Sequence, residues 1–438
     1  MDSLKLSVAQ LRQPAVNMIR YALHLDWIDQ QDARLRRLVE QWANLNSGTF
    51  NLEGVNNCSQ AVLSEFRSLQ ADVRSLDLPP AKLIDAHGEP VDRPLGKAIH
   101  LQKHRDAPVK VLLGIHIDTV YAMDDPFQRV TQLDAGRLQG PGVADAKGGL
   151  VVMLTALQAL ERSAFGGRIG WDVLINPDEE IGSPGSAEIW KNLAKQNHVG
   201  MLYEPALSGG ALVAGRKGSG NFTAVVRGKA AHAGRDPKAG RNAIHLLGEM
   251  IVALAAMQEL SPGISVNVGQ ISGGTAVNIV PDLAIANFNV RVVGIDEQAT
   301  VERRLQKIVS DLNSRDGYSI NLHGGFSAPP KVMNDASRRL MDAFQTCGRE
   351  LGLSIDSRDT GGVCDGNRLA AAGLANIDSL GVRGGNLHSD REYIELDSLT
   401  ERAKLSAVFL MKLAAGEINV ADFAPPVSGR KNSAGETS

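Results

Sequence analysis

At 438 residues, with 43% apolar and 22% charged side chains, the chain is long enough for more than one core and has the composition of a folded globular protein, not of a disordered or membrane-embedded one. Its 46 basic and 49 acidic residues leave a net charge of −3, which excludes a broad positive field for nucleic acid. No signal peptide is expected, because Gln10, Arg12, Gln13, Asn17 and Arg20 interrupt the first apolar stretch. Cys58, Cys347 and Cys364 form no metal-type pair and leave one thiol over if two bridged, so a reducing cytoplasm is the expected compartment.

Leu35, Leu38, Val39 and Trp42 recur at helical spacing and predict a helix before about Asn46. The apolar run 109–117 suits a buried strand, and 149–160 has the length and composition of a buried helix. Further short strands are predicted at 171–175 and 201–203, each followed by acids. From about residue 215 to 323 the order becomes strand (222–227), helix (242–257), strands (264–271 and 283–293), helix (299–312) and strand (318–322). That βαββαβ order is ferredoxin-like and small enough to be an insertion. Helix and strand then alternate again through 333–351 and on to 413, before a tail rich in Pro, Ser, Gly and Lys that reads as disordered. The expectation is an α/β fold. A mainly parallel-sheet catalytic domain of residues 1–214 and 329–422 is interrupted by a ferredoxin-like unit, 215–328, and followed by the tail 423–438.

The chemically able residues gather at or near predicted strand ends, where open α/β sheets collect their ligands. His116 and Asp118, in GIHIDT, stand two apart on extended chain and point to one side. They read either as a metal ligand with an orienting carboxylate or as a hydrogen-bonded surface pair. Asp145, in GPGVADAKGG just before the apolar helix, can cap that helix or bind a metal; the glycines lack phosphate-loop spacing. Asp178, Glu179 and Glu180 follow the next strand. Two carboxylates about 4 Å apart repel by roughly 4 kcal/mol at an effective dielectric of about 20, so they either splay into water or share a cation. On extended backbone one glutamate would face a metal and its neighbour the substrate. Glu204, held extended by Pro205, and His388, in GNLHSDRE, are weak signals alone. As a set they have the number and kind of ligands a two-metal centre would need if Asp145 bridges. With Asp145 bridging, one ion takes Asp145, Glu180 and His388, and the other takes Asp145, His116 and Glu204, with positions left open as in catalytic sites.

The order of motifs GIHIDT, GPGVADAKGG, DEEIGSPGS, YEP, GKAAHAG, VNIVP and GNLHSDRE resembles that of the M20 metallopeptidase family, most of all its glutamate-carboxypeptidase branch, over about residues 30–415. The resemblance implies two Zn2+ ions per subunit, with Co2+ or Mn2+ as possible substitutes, and a homodimer formed through the inserted lid. It implies that His116, Asp145, Glu180, Glu204 and His388 are the ligands, that Glu179 is the general base and that Asp118 orients His116. His232, in GKAAHAG, would stabilise the oxyanion in the partner subunit's site. Asn278 and Arg291 would hold the substrate's carboxylate. From the residues alone, His232 can instead be a surface histidine and Arg291 can pair with Asp296. Asn289 stands where the family usually has the aspartate two residues before this arginine, and Cys364 stands where relatives often have Ser or Thr; the thiol reads as packed, not nucleophilic. The Asp145–Ala146 peptide is expected to be cis.

The activity implied is hydrolysis of an amide bond beside a C-terminal amino-acid carboxylate, in a small molecule or short peptide, by metal-activated water. Nucleic acid and membrane are not expected partners. An N-acyl-amino-acid deacylase of the same family is the alternative, and a non-catalytic amino-acid- or peptide-binding protein the remote one. Glu204, rather than Asp, favours the carboxypeptidase, aminoacylase and desuccinylase branches over the tripeptide aminopeptidases.

Overall fold

The computed structural model of the protein describes residues 18–424; the readings made for the first residues and for 425–438 of the tail lie outside the described residues. The chain is helical over 18–29 and again in Asp32–Ala43 (α1), which buries Leu35, Leu38, Val39 and Trp42, the stripe its spacing predicts. The main sheet is built from Asp72–Leu76 (β1), Ala98–Lys103 (β2), Val109–His116 (β3), Ile169–Asn176 (β4), Val199–Leu202 (β5) and, far along the chain, Asn376–Ile377. Across the sheet they run β1, β2, β4, β3, β5, then Asn376–Ile377. The last four are parallel, and β1 and β2 add an antiparallel margin. The sequence reading does not anticipate β1 and β2, because a margin strand mixes polar with apolar residues and offers no continuous run.

Alternation along β3 explains how the sheet is covered. Val111, Leu113 and Ile115 face the larger core with Gly149–Arg162 (α2) and Ser398–Ala415, whereas Leu112 joins Leu174, Trp190, Leu202 and Leu369 on the other face. Parallel strands need both faces covered, and α2 is accordingly apolar and buried over most of its surface, Gln158, Glu161 and Arg162 excepted. A Cβ on Gly149 would come within 2.1 Å of the Tyr203 carbonyl oxygen, so only glycine lets α2 begin this close to the end of β5. Phe423, assigned by composition to the tail, is 2% exposed and packs toward Phe409 with ring centroids 6.4 Å apart.

The insertion follows the predicted order: Gly218–Arg227 (β6), Ala243–Ala255 (α3), Ser265–Gly273 (β7), Leu283–Val292 (β8), Ile295–Asn313 (α4) and Ser319–Ala328 (β9). Its antiparallel sheet runs β7, β8, β6, β9 and has a core of its own, including Phe222, Leu246, Met250, Phe288, Leu305 and Ile308. The opposite face is polar by the same alternation: Thr223 donates to Asn287 at 2.6 Å and Asn289 donates to Asn221 at 2.7 Å. Helix α4 begins four residues before the predicted 299, because the Glu297 carboxylate accepts the Val293 and Gly294 N–H groups at 2.8 and 3.0 Å. Strand β9 outruns its predicted end at 322. Pairing with β6 carries it through Gly324 and Gly325 to Ala328, overriding their turn preference. The stretches Val143–Arg162 and Ala243–Leu260 are both long and apolar enough to cross a membrane by composition; the first is 94% buried in the core and the second 33%.

Both passages between the two sheets are tied to one carboxylate. Arg216 and Lys331 exchange backbone hydrogen bonds at 3.0 Å each way, Arg216 grips Asp378 with Nε and Nη2 at 2.9 Å each, and Lys331 Nζ reaches Asp378 at 2.7 Å. All three side chains are buried. Burial opposes ionisation of Asp378, but Arg216 and then Lys331 bring its pKa down to about 2. A depressed native pKa means that the stabilisation is complete above the unfolded value of about 3.9 and is lost as pH falls through about 2. Asp378→Asn strands two buried cations and is expected to cost about 3–5 kcal/mol in urea unfolding at neutral pH. A loss below about 1 kcal/mol would show that the cluster does not pin the passages.

Candidate metal centre

Strand register brings the first ligands together. Gly114 pairs with Leu202 and His116 with Asn176, so β3 and β4 finish level with one another and β5 stops two residues short of them. Two residues beyond the first pair come His116 and Glu204, and His116 Nε2 lies 3.6 Å from Glu204 Oε2. Asp145 arrives from the irregular turn Val143–Gly148, whose Asp145–Ala146 peptide is cis. It does not cap α2: its Oδ1 lies 2.9 Å from His116 Nε2 and its Oδ2 lies 3.4 Å from His388 Nε2. His388 Nε2 is also 3.3 Å from Glu180 Oε2. His388 adopts φ +58°, an uncommon setting for a residue with a Cβ, which aims its ring back at the two acids.

Asp145 thus meets His116, itself beside Glu204, with one oxygen and His388, itself beside Glu180, with the other. Donor atoms of His116, Asp145 and Glu180 lie within 4.8 Å of one another, so the two sets stand close together on either side of Asp145. Glu180 Oε1 is buried and has no hydrogen-bond partner, which is costly for a carboxylate unless a cation meets it. The protonation pattern agrees. Burial pushes Glu180 up to about 7 with help from Asp145, and it pushes Glu179 well above the usual carboxylate range with help from Glu204. His388 is raised to about 10 by its contacts with Asp145 and Glu180. Burial works against ionised Asp145, yet the two imidazoles hold it below its ordinary value. The acids here outnumber the imidazoles and draw positive charge to themselves. Nitrogen and carboxylate donors with this spacing suit divalent transition metals.

The acidic run is not extended, as the sequence reading supposed. Glu179–Ile181 forms a single 3-10 turn, and Asp178 turns away to accept Gly185 N–H at 2.7 Å, Ser186 N–H at 3.0 Å and Ser186 O–H at 2.6 Å. Asp118 is 3.4 Å from His116 Nδ1 through Oδ1, while its backbone carbonyl is nearer at 3.0 Å. Its carboxylate has a further task that the sequence did not suggest: it accepts the N–H groups of Glu179 and Glu180 at 3.2 Å each and the Thr49 hydroxyl at 2.7 Å. Glu392 was also missed. Fully buried, it accepts Ala144 N–H at 2.8 Å, Asp145 N–H at 3.0 Å and the Tyr121 hydroxyl at 2.7 Å, so it cradles the turn that carries Asp145. The one available signal was an acid four residues after His388. Lys147, also buried, donates to Ser47 Oγ at 2.7 Å and to the Ile117 carbonyl, holding the chain between His116 and Asp118.

The residues expected from the insertion do not join this cluster within one chain. His232 is exposed, with Nδ1 accepting Gly234 and Arg235 N–H at 3.1 Å each, and its strand pairs with Ile279 beside Asn278. Arg291 lies toward the opposite end of β8; from Leu283 to Arg291 the strand covers roughly 27 Å. Arg291 does not pair with Asp296. Its Nε donates to Asn289 Oδ1 at 2.9 Å, so the amide takes the place of the usual ion pair, and its Nη1 donates to the Gly361 carbonyl at 2.9 Å. Cys364 is 5% exposed and its sulfur accepts Gly366 N–H at 3.3 Å, while burial pushes the thiol well above its ordinary range.

The profile of peptidase family M20/M25/M40 matches residues 112–412. Carboxypeptidase G2 of Pseudomonas sp. (strain RS-16) is 29% identical over 397 residues, covering 89% of this chain and 91% of that protein. Succinyl-diaminopimelate desuccinylase of Pseudomonas syringae pv. syringae (strain B728a) is 30% identical over 319 residues, covering 68% of this chain and 81% of that protein. Among solved structures, an M20 family metallo-carboxypeptidase, Sso-CP2 from Sulfolobus solfataricus, superposes with a TM-score of 0.67 at 16% identity, covering 87% of this chain and 99% of that one.

Proposed function

The chain belongs to peptidase family M20/M25/M40 and is a hydrolytic enzyme; from that membership we propose that it is a two-zinc amidohydrolase that cleaves the amide bond beside a free amino-acid carboxylate. The observation that carries this reading is Asp145, whose two oxygens face two different sets of ligands. His116 and Glu204 would hold one ion, His388 and Glu180 the other, and Asp145 both. When bound, such ions supply Lewis acidity, acidifying water to a pKa of about 7 and polarising the substrate carbonyl. Glu179, anchored through its N–H to Asp118, takes the proton from the attacking water and returns it to the leaving nitrogen. The C–N bond breaks, the carbonyl carbon keeps the water oxygen, and a carboxylic acid and a free amino acid result.

Residues 215–328 act as the lid in this reading, and the lid makes a homodimer. Val252 on α3 and Ile271 on the marginal strand β7 are 71% and 57% exposed, an apolar surface and an open strand edge that a second copy would cover. His232 of one protomer, exposed and bonded only to its own turn, then meets the oxyanion in the other, with Asn278 beside it. Three free, buried cysteines suit a cytoplasmic setting.

The test is amino-acid release, followed by mass spectrometry, from dipeptides and N-acyl amino acids with free and amidated C-termini, using zinc-loaded protein. Release confined to free carboxylates and abolished by a chelator is expected; cleavage of amidated and free substrates alike would refute the carboxylate requirement. Release from N-acyl amino acids alone would favour the deacylase reading, which the similarity to a desuccinylase keeps open. Arg291 grips the carboxylate here, so Arg291→Ala should lower kcat/KM on free-carboxylate substrates by about 10- to 100-fold, mainly through KM, as expected for losing a hydrogen bond to a charged group. An unchanged KM would remove it from substrate binding.

A further inference from the structure

Beside Glu180 lies a cleft of about 660 Å³ whose walls include Phe50, Leu52, Val120, Met123 and Ile181. We propose that this cleft receives the acyl group of the substrate, and that the enzyme accordingly prefers a bulky apolar acyl group to a small or carboxylate-bearing one. The inference rests on the amidohydrolase reading and adds to it the acyl class.

Position is the first support. Glu180 both lines the cleft and touches His388, so a group in the cleft is in direct reach of the candidate metals. Arg291, the candidate carboxylate grip, reaches instead to Gly361 and neighbours Asn289, which lines a second cavity that meets this one at Ile181. In the proposed pose the substrate's carboxylate lies with Arg291 and its scissile carbonyl at the candidate metals, which leaves the cleft beside Glu180 for the acyl group.

Chemistry is the second. Phe50, Val120 and Met123 are 37%, 42% and 73% exposed, three large apolar side chains turned toward one opening beside a polar centre. Such exposure is what a ligand of like character would relieve. The lining holds no Lys, Arg or His; its single ionisable group is the acid Glu180. Arg93 lies over the Phe50 ring at 4.8 Å and is not part of the lining. A succinyl carboxylate would therefore find no Lys, Arg or His side chain in the cleft wall to pair with, since Glu180 is already committed to the candidate ion, whereas a hexanoyl or benzoyl group meets carbon.

The experiment compares kcat/KM for acetyl, hexanoyl, benzoyl and succinyl derivatives of one amino acid, with wild-type zinc-loaded enzyme and with Met123→Lys and Met123→Leu. Hexanoyl and benzoyl derivatives are expected to exceed acetyl and succinyl by about tenfold or more, the scale set by apolar pockets. Met123→Lys should swing the ratio toward succinyl by at least about tenfold, and Met123→Leu should keep it. Equal rates across acyl groups, a preference for succinyl, or a ratio unmoved by Met123→Lys would overturn the proposal. If no derivative is cleaved, the proposed amidohydrolase activity on N-acyl amino acids fails instead. Calorimetric titration of the same compounds then decides the cleft: tighter binding of hexanoyl and benzoyl derivatives, weakened by Met123→Lys, sustains it, and no such preference ends it.

Discussion

Glu179→Gln should keep zinc and lose turnover, with kcat reduced by about 10²- to 10⁴-fold, the range of a positioned general base. The expectation comes from how the side chain is held. Asp118 accepts the N–H of Glu179 and that of Glu180 at 3.2 Å each, so both peptide units are anchored by backbone contacts that an amide side chain does not disturb. Glutamine has nearly the same shape as glutamate but accepts no proton at neutral pH. Metal analysis must accompany the kinetics, because a simultaneous loss of zinc would mean that Glu179 supports the ions themselves. A variant that keeps both zinc and more than about a tenth of wild-type kcat would remove the residue from proton transfer.

Asp145→Ala should abolish binding of both ions, where Glu204→Ala should weaken chiefly one. Asp145 contacts His116 through one oxygen and His388 through the other, so its removal leaves each half of the centre without its shared donor. Thermal unfolding offers a readout besides activity. A ligand at 100 times its dissociation constant stabilises by about 2.7 kcal/mol, so zinc should raise the Tm of the wild type and leave that of Asp145→Ala nearly unchanged. Retention of two zinc equivalents by Asp145→Ala would overturn the bridging role. The cradle around this turn gives a subtler comparison: Glu392 binds the N–H groups of Ala144 and Asp145, so Glu392→Gln should weaken metal affinity without removing a ligand, by about 10- to 100-fold.

Much of this centre was legible before folding because its parts are local. A buried strand, an apolar helix and the polar residues between them obey periods of two and 3.6, which a short stretch of sequence displays. His116 could be nominated for that reason, whereas Glu204 and His388 were weak signals until taken with the whole set and the order of motifs, and the βαββαβ order of the insertion was readable even though α4 began early and β9 ran late. The acidic run was harder. The number of acids was visible, but whether they lay extended or in a 3-10 turn depended on Asp118 capturing two N–H groups from a neighbouring strand.

Residue types, their order and the strand ends that carry them were determined by the sequence itself, since each is set by side chains within a few positions of one another. Which side chains meet was decided only by tertiary structure. Register places His116 level with Glu204, Glu392 reaches the turn of Asp145 from far along the chain, and the length of β8 separates Arg291 from His232 and Asn278. The apolar cleft beside Glu180 exists for the same reason: its walls come from three segments, around Phe50, Met123 and Ile181, that no local period relates. Local order follows from short-range backbone and side-chain preference, whereas long-range contact depends on how whole strands align.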